Sequence, residues 1–214
     1  MQYDVWAVTP ATDDAYYRAN ASIAGAGVLP LLANTAGPNG YGYKVIITSA
    51  GDDSGITFTI SGIKVGDLSN TVVSEVVTGA NASTATSTNY YARVESITAS
   101  GASAGNVKIG TTGSLALPRT RIKGLYFVGT GTAGSIKFNT NDLASALRLQ
   151  VNTPASASAV NSLYMAAEGI LTTLGSNQDY CVVTLTNVTY CTICLLYTSP
   201  SPRDLSTSRM PSSA

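Results

Sequence analysis

Between positions 43 and 60 the chain reads Tyr43-Lys44-Val45-Ile46-Ile47-Thr48-Ser49-Ala50-Gly51-Asp52-Asp53-Ser54-Gly55-Ile56-Thr57-Phe58-Thr59-Ile60. Two runs rich in β-branched and aromatic residues flank a cluster of turn formers. In the second run Ile56, Phe58 and Ile60 fall on one side of a pleated strand, and Thr57 and Thr59 fall on the other. Small polar residues with glycine between the runs suit a tight reversal.

The same alternation of strand and turn extends in both directions. Upstream, residues 28–33 are short and apolar, and 35–40 (TAGPNG) form a turn cluster. Downstream, 71–78 (TVVSEVVT) and 88–98 (TNYYARVESIT) read as strands, 101–105 (GASAG) as a hairpin-like turn, and 106–110 (NVKIG) as the return. A junction falls at 111–118. Strand patterns then resume at 121–128, 134–138, 147–151, 162–165, 170–173 and 180–193. Pro30, Pro38, Pro118 and Pro154 stand at strand ends or in turns, where a missing amide donor does least harm. Residues 141–149 admit a helix by the spacing of Leu143, Ala146 and Leu147, capped by Asn141-Asp142. A loop followed by a strand is the preferred reading, because so short a helix has little stability of its own. At the N-terminus, residues 2–8 alternate like a strand, and 13–24 suit a short helical turn or a loop.

The expectation is therefore an all-β chain of two consecutive antiparallel β-sandwich modules, Ig-like or jelly-roll-like. An N-terminal segment covers 1–27, the first module 28–118 and the second 119–193. A disordered tail follows at 194–214.

Composition narrows the function. Charged residues make up only 11% of the chain, against roughly 25% in ordinary soluble domains. The 44% hydrophobic content leaves Ser, Thr, Asn and Gly to cover the surface, which repels neighbouring molecules poorly. Such a surface suits a protein that lives packed in an assembly. Twelve basic and twelve acidic residues cancel, and no basic run offers a footprint for nucleic acid. Histidine is absent, which removes the commonest general base and metal ligand. Neither a secretory signal nor an apolar run long enough to span a membrane is visible.

Beyond residue 193 the character changes. The segment CLLYTSPSPRD, followed by SRMPSSA at the end of the chain, resembles the conceptual translation of a transposon-end sequencing adaptor. The three residues between the two pieces sit where a sample index is read. The resemblance implies that the genuine sequence stops near Ile193 and that Cys194 stands outside any cysteine argument. A continuous genomic reading frame through the tail would refute this.

Other phrases resemble modules of tailed-bacteriophage structural proteins, especially marine ones. In the first half these are VIITSAGDDSGITFTISG (45–62), SEVVTGANA (74–82) and VESITASGASAGNVKIGTTG (94–113). In the second half they are RIKGLYFVGTGTAGSIKFNT (121–140), LQVNTPASA (149–157), AAEGILT (166–172) and VTLTNVTYCTI (183–193). The resemblance implies a virion component, made in the host cytoplasm, whose partners are other virion proteins and further copies of itself.

Candidate sites are few. Tyr16, Tyr17, Tyr41, Tyr43, Tyr90 and Tyr91 sit at or beside turns, and tyrosine suits interfaces because it contributes large contact area at low entropic cost. The competing reading turns one of each pair into the core. Cys181 and Cys191 would face each other if the chain reversed near Thr186-Asn187, giving a disulfide; the alternative is two buried hydrophobes in a reducing cytoplasm. Asp52-Asp53 reads as a turn rather than a cation site. Glu168 lacks a partner for acid–base work, and Glu75 and Glu95 are expected to face solvent. No catalytic, cofactor-binding or metal residue is assigned. The expected role is a virion structural protein, in capsid decoration, a fibre or a head-tail structure. A carbohydrate-binding or adhesive module reading a host-surface glycan is the alternative, and an enzyme is disfavoured.

Overall fold

A computed structural model describes residues 3–8, 12–32, 35–38, 41–67, 69–118, 120–140, 147–155, 160–164, 170–171 and 180–197. The first strands are β1 (Tyr3–Val8), β2 (Asp13–Ala21), β3 (Gly27–Val28), β4 (Gly42–Ser49) and β5 (Thr57–Lys64). Next come β6 (Val72–Thr78), β7 (Thr84–Ala99), β8 (Val107–Pro118), β9 (Thr120–Gly129) and β10 (Gly134–Thr140). The last are β11 (Leu147–Thr153), β12 (Val160–Tyr164), β13 (Ile170–Leu171), β14 (Tyr180–Thr186) and β15 (Val188–Tyr197). The fold is all-β, with every strand pairing antiparallel.

Two sheets form. The larger runs β11-β10-β14-β8-β4-β7-β5-β6, with β2 on β8 and β3 on β7. The smaller runs β1-β15-β9-β12, with β13 also on β9. Alternation places the apolar residues as the sequence leads one to expect: Phe58 and Ile60 of β5 are fully buried, while Thr57 and Thr59 are only half-buried.

Two clusters make up most of the core. One joins Leu125, Phe127, Cys191 and Ile193 of the smaller sheet to Phe138, Cys181, Val183 and Leu117 of the larger. The other gathers Val45, Ile47, Phe58, Ile60, Tyr91 and Ile97 at the opposite end of the larger sheet, with Tyr17, Ile23 and Leu29 against them. Strand β8 serves both, contributing Val107 and Ile109 to the second and Leu115 and Leu117 to the first. Residues near the boundary expected at 118 thus lie in a shared ladder, where Tyr180–Val183 pair with Leu115–Pro118.

Residues 13–21 form β2 rather than a helical turn or a loop. Pairing along β8 and burial of Tyr17 give the segment what an isolated helical turn lacks. Arg18 anchors it: the buried guanidinium donates to the carbonyls of Ala21 (2.9 Å), Ser22 (3.0 Å) and Val107 (2.5 Å). Gly110 is required where β2 crosses β8, because a Cβ there would run into the backbone of Asp13 and Asp14. Of the helix considered at 141–149, residues 141–146 lie outside the described set, and β11 begins at Leu147.

Strand β15 continues past Ile193, pairing Cys194, Leu195, Leu196 and Tyr197 with Gly124, Ile122, Arg121 and Thr120 of β9. Residues 198–214 lie outside the described set.

Candidate assembly surface

Five of the six tyrosines are withdrawn from the surface, and for them the interface expectation is corrected. Tyr17, Tyr41, Tyr43, Tyr90 and Tyr91 are all buried. Tyr16 is half-buried; its hydroxyl donates to the Ala36 carbonyl (3.0 Å), and its ring meets Tyr17 edge-on at 5.0 Å. The competing reading, one of each pair inward, holds for Tyr16-Tyr17 and falls short for the other two pairs. Tyr41 and Tyr43 share parity and enter the same cluster. Tyr90 and Tyr91 point to opposite faces, but both faces are covered there. Tyr91 joins the second cluster, and Tyr90 packs with Val65, Ala116 and Val182. The Lys44 ammonium lies 5.2 Å from the Tyr90 ring centroid. Burial pushes the Tyr43 and Tyr91 hydroxyls up to about 12.

For the cysteines the disulfide reading is corrected, and the reading as two buried hydrophobes stands. Cys181 and Cys191 are both buried and both free. They do not oppose each other across a hairpin, because the turn between them moves the chain from one sheet to the other. Asn187, with φ of 53°, makes that turn, and its side-chain amide donates to the Ala133 carbonyl (2.9 Å). Desolvation holds both thiols up at about 12.

Asp52 takes its expected turn role. One carboxyl oxygen accepts the Ser54 hydroxyl (2.6 Å) and amide (3.1 Å), which lowers its pKa. Asp53 is 1% exposed, and its carboxylate accepts the Ala104 amide (2.7 Å), tying two turns together. Among the described residues no three His, Cys, Asp or Glu side chains converge as metal ligands, and no helix is long and apolar enough to cross a membrane. Glu168 lies outside the described residues.

Glu95 is exposed and pairs with Arg93 (2.5 Å). Glu75 is not simply solvent-facing. Its carboxylate accepts the amides of Thr88 (2.5 Å) and Asn89 (3.1 Å), the Asn89 side-chain amide (2.9 Å) and the Tyr91 hydroxyl (3.2 Å). These groups lie in and beside a bulge of β7, where pairing with β4 jumps from Lys44↔Tyr90 to Ile46↔Thr86. Ser87 completes the repair: its hydroxyl accepts the Val45 amide and donates to the Asn89 carbonyl, each at 2.9 Å.

The surface the sequence reading missed is the outer end of the larger sheet. Strand β6 is its terminal member. Val72 and Val76 are 53% and 64% exposed, and Ser74 and Thr78 are exposed beside them. A row of small hydroxyl side chains continues inward, Ser74 opposite Ser61 and Ser61 opposite Ser96, with Ser61 and Ser74 hydrogen-bonded at 2.8 Å. One signal was available: the doublets in TVVSEVVT place one valine of each on each face, so half of them must face outward unless a neighbour covers them. On the smaller sheet Tyr126 and Tyr190 are exposed, their rings 6.4 Å apart and 79° to each other. A face and an edge do not make a flat stacking platform.

Comparison with family models, curated proteins and solved structures finds no match to this chain.

Proposed function

We propose that this protein is a structural component of a bacteriophage virion and works by assembly, through contacts with copies of itself and with other virion proteins. The observation that carries the reading is the surface left at the end of the larger sheet, a strand edge without basic residues that carries two exposed valines beside a face of serine and threonine. Exposed edges of this kind pair readily with another chain. A chain with 11% charged residues and no net charge has little electrostatic repulsion to keep its copies apart. The phrases quoted from both halves, which resemble phage structural modules, supply the virion context.

Analytical ultracentrifugation of the full chain, with pull-down on purified capsids of a phage carrying the gene, tests the proposal. Oligomers or capsid binding are expected. A stable monomer without affinity for any virion component would overturn it. A glycan-binding role finds less support, since five of the six candidate tyrosines are buried.

A further inference from the structure

We infer that strand β6 is a homotypic assembly edge, pairing antiparallel with β6 of a second copy about a two-fold axis at Ser74. The inference rests on the assembly reading above and gives it a partner and a register.

Backbone geometry identifies which groups are available. The Gly79 amide donates to the Ile56 carbonyl at 2.9 Å, and the β5–β6 register continues without a shift from Thr57↔Thr78 to Ile63↔Val72. In an antiparallel ladder, mutually bonded pairs alternate with unbonded ones. Val77, Glu75 and Val73 therefore bond inward to β5. Val72, Ser74, Val76 and Thr78 turn their amides and carbonyls outward, and among the described residues no strand meets them.

Natural sheets protect such edges with lysine, proline or bulges. The opposite edge, β11, follows that practice: it carries Arg148, and its pairing with β10 shifts between Phe138 and Asn139. Strand β6 has no proline, no basic residue and no bulge. Its one charge, Glu75, is folded back onto Thr88, Asn89 and Tyr91 of its own chain. The edge presents no cation, and its one carboxylate is bound by donors of its own chain.

Self-complementarity selects the second copy as the occupant and sets the register. With Ser74 opposite Ser74 of the second copy, each exposed Val72 meets a Val76 on the outer face, and Glu75 stands opposite Val73 on the other. Each outward-facing pair supplies two main-chain hydrogen bonds. A shift that brings Glu75 opposite Glu75 sets like charges directly across the seam, which destabilises. A shift that centres on Val76 leaves Val72 opposite Ala80, beyond the end of β6. In the favoured register the serine row continues through the seam from one sheet into the next. A single strand edge buries less than the roughly 1,200 Å² typical of stable complexes. The pairing is therefore concentration-dependent and fills when other contacts bring copies together.

The test is cysteine cross-linking of the full chain. Residues opposite each other in a bonded pair have Cα atoms about 5.5 Å apart, within disulfide range. Under mild oxidant at high protein concentration, Ser74→Cys is expected to form a covalent dimer, while the wild type and Gln150→Cys on the β11 edge are not. Adding Val76→Lys to Ser74→Cys should abolish the dimer with an unchanged circular dichroism spectrum, since Val76 is exposed. Absence of a Ser74→Cys dimer, equal cross-linking from Gln150→Cys, or a dimer insensitive to Val76→Lys would overturn the inference. The two levels separate. If Val76→Lys alone still forms wild-type oligomers, the edge is wrong and the assembly role stands. If the wild type neither associates nor binds virion components, the assembly role falls first.

Discussion

Glu75 shows how much one side chain decides in a sheet of small residues. It is the single acidic residue of β6, and it satisfies two amides, a side-chain amide and a hydroxyl of β7. Burial alone would raise its pKa, but the Thr88 and Asn89 amides and the Tyr91 hydroxyl outweigh that, and it titrates below the ordinary glutamate value. Glu75→Ala leaves these donors without their acceptor, so a loss of about 1.5–3 kcal/mol is expected in urea unfolding at pH 7. The sign of the pH dependence follows from the lowered folded pKa. The unfolded chain takes up the proton first, near about 4.3, so the Glu75 contribution is complete above that value. It disappears as pH falls through the lower folded pKa. Unfolding curves of wild type and Glu75→Ala should therefore converge on acidification below pH 4; a gap that persists unchanged would count against the network.

At the scale of elements, β7 and the β14–β15 turn carry the geometry. Strand β7 pairs with β4 along its first half and with β5 along its second. The bulge at 87–89 lies in the first of these halves, and Ser87 and Glu75 bind the amides of Val45, Thr88 and Asn89 beside it. Ser87 is buried, so Ser87→Ala strands the Val45 amide and should cost about 1–3 kcal/mol. Faster hydrogen exchange at Val45 than at Ile47 in the variant would locate the damage. The turn at Asn187 sends Cys181 and Cys191 into different sheets, each thiol desolvated. Only the thiolate reacts quickly, so at pH 8 neither should be modified in the native protein. A thiol titration in denaturant should find three per chain, and fast native labelling of more than Cys194 would contradict the burial.

For the whole molecule, the absence of net charge governs association. With twelve charges of each sign, attraction between copies must come from main-chain pairing and apolar contact instead of long-range fields. Raising salt from 50 mM to 500 mM should then change the association constant by less than about threefold. A steep salt dependence, measured by sedimentation, would point to charged patches as the true contact. The two hydrophobic clusters share β4 and β8, so the halves of the chain gain stability from common strands.

The sequence by itself determined what is local. The period-two pattern of Ile56, Phe58 and Ile60, the turn chemistry of Asp52-Ser54 and the sparing use of charge were all legible, because each rests on neighbours a few positions apart. Only the tertiary structure decided what depends on distant partners. Tyr90 and Tyr91 are both buried because the sheet is covered on both faces at that point. Cys181 and Cys191 part because one residue, Asn187, switches sheets. Glu75 became a clamp because β7 bulges opposite it, and β6 became an edge because no described strand lies beyond it. Alternation tells which side chains share a face; strand pairing over long sequence separations decides which faces are covered and which strands end the sheet.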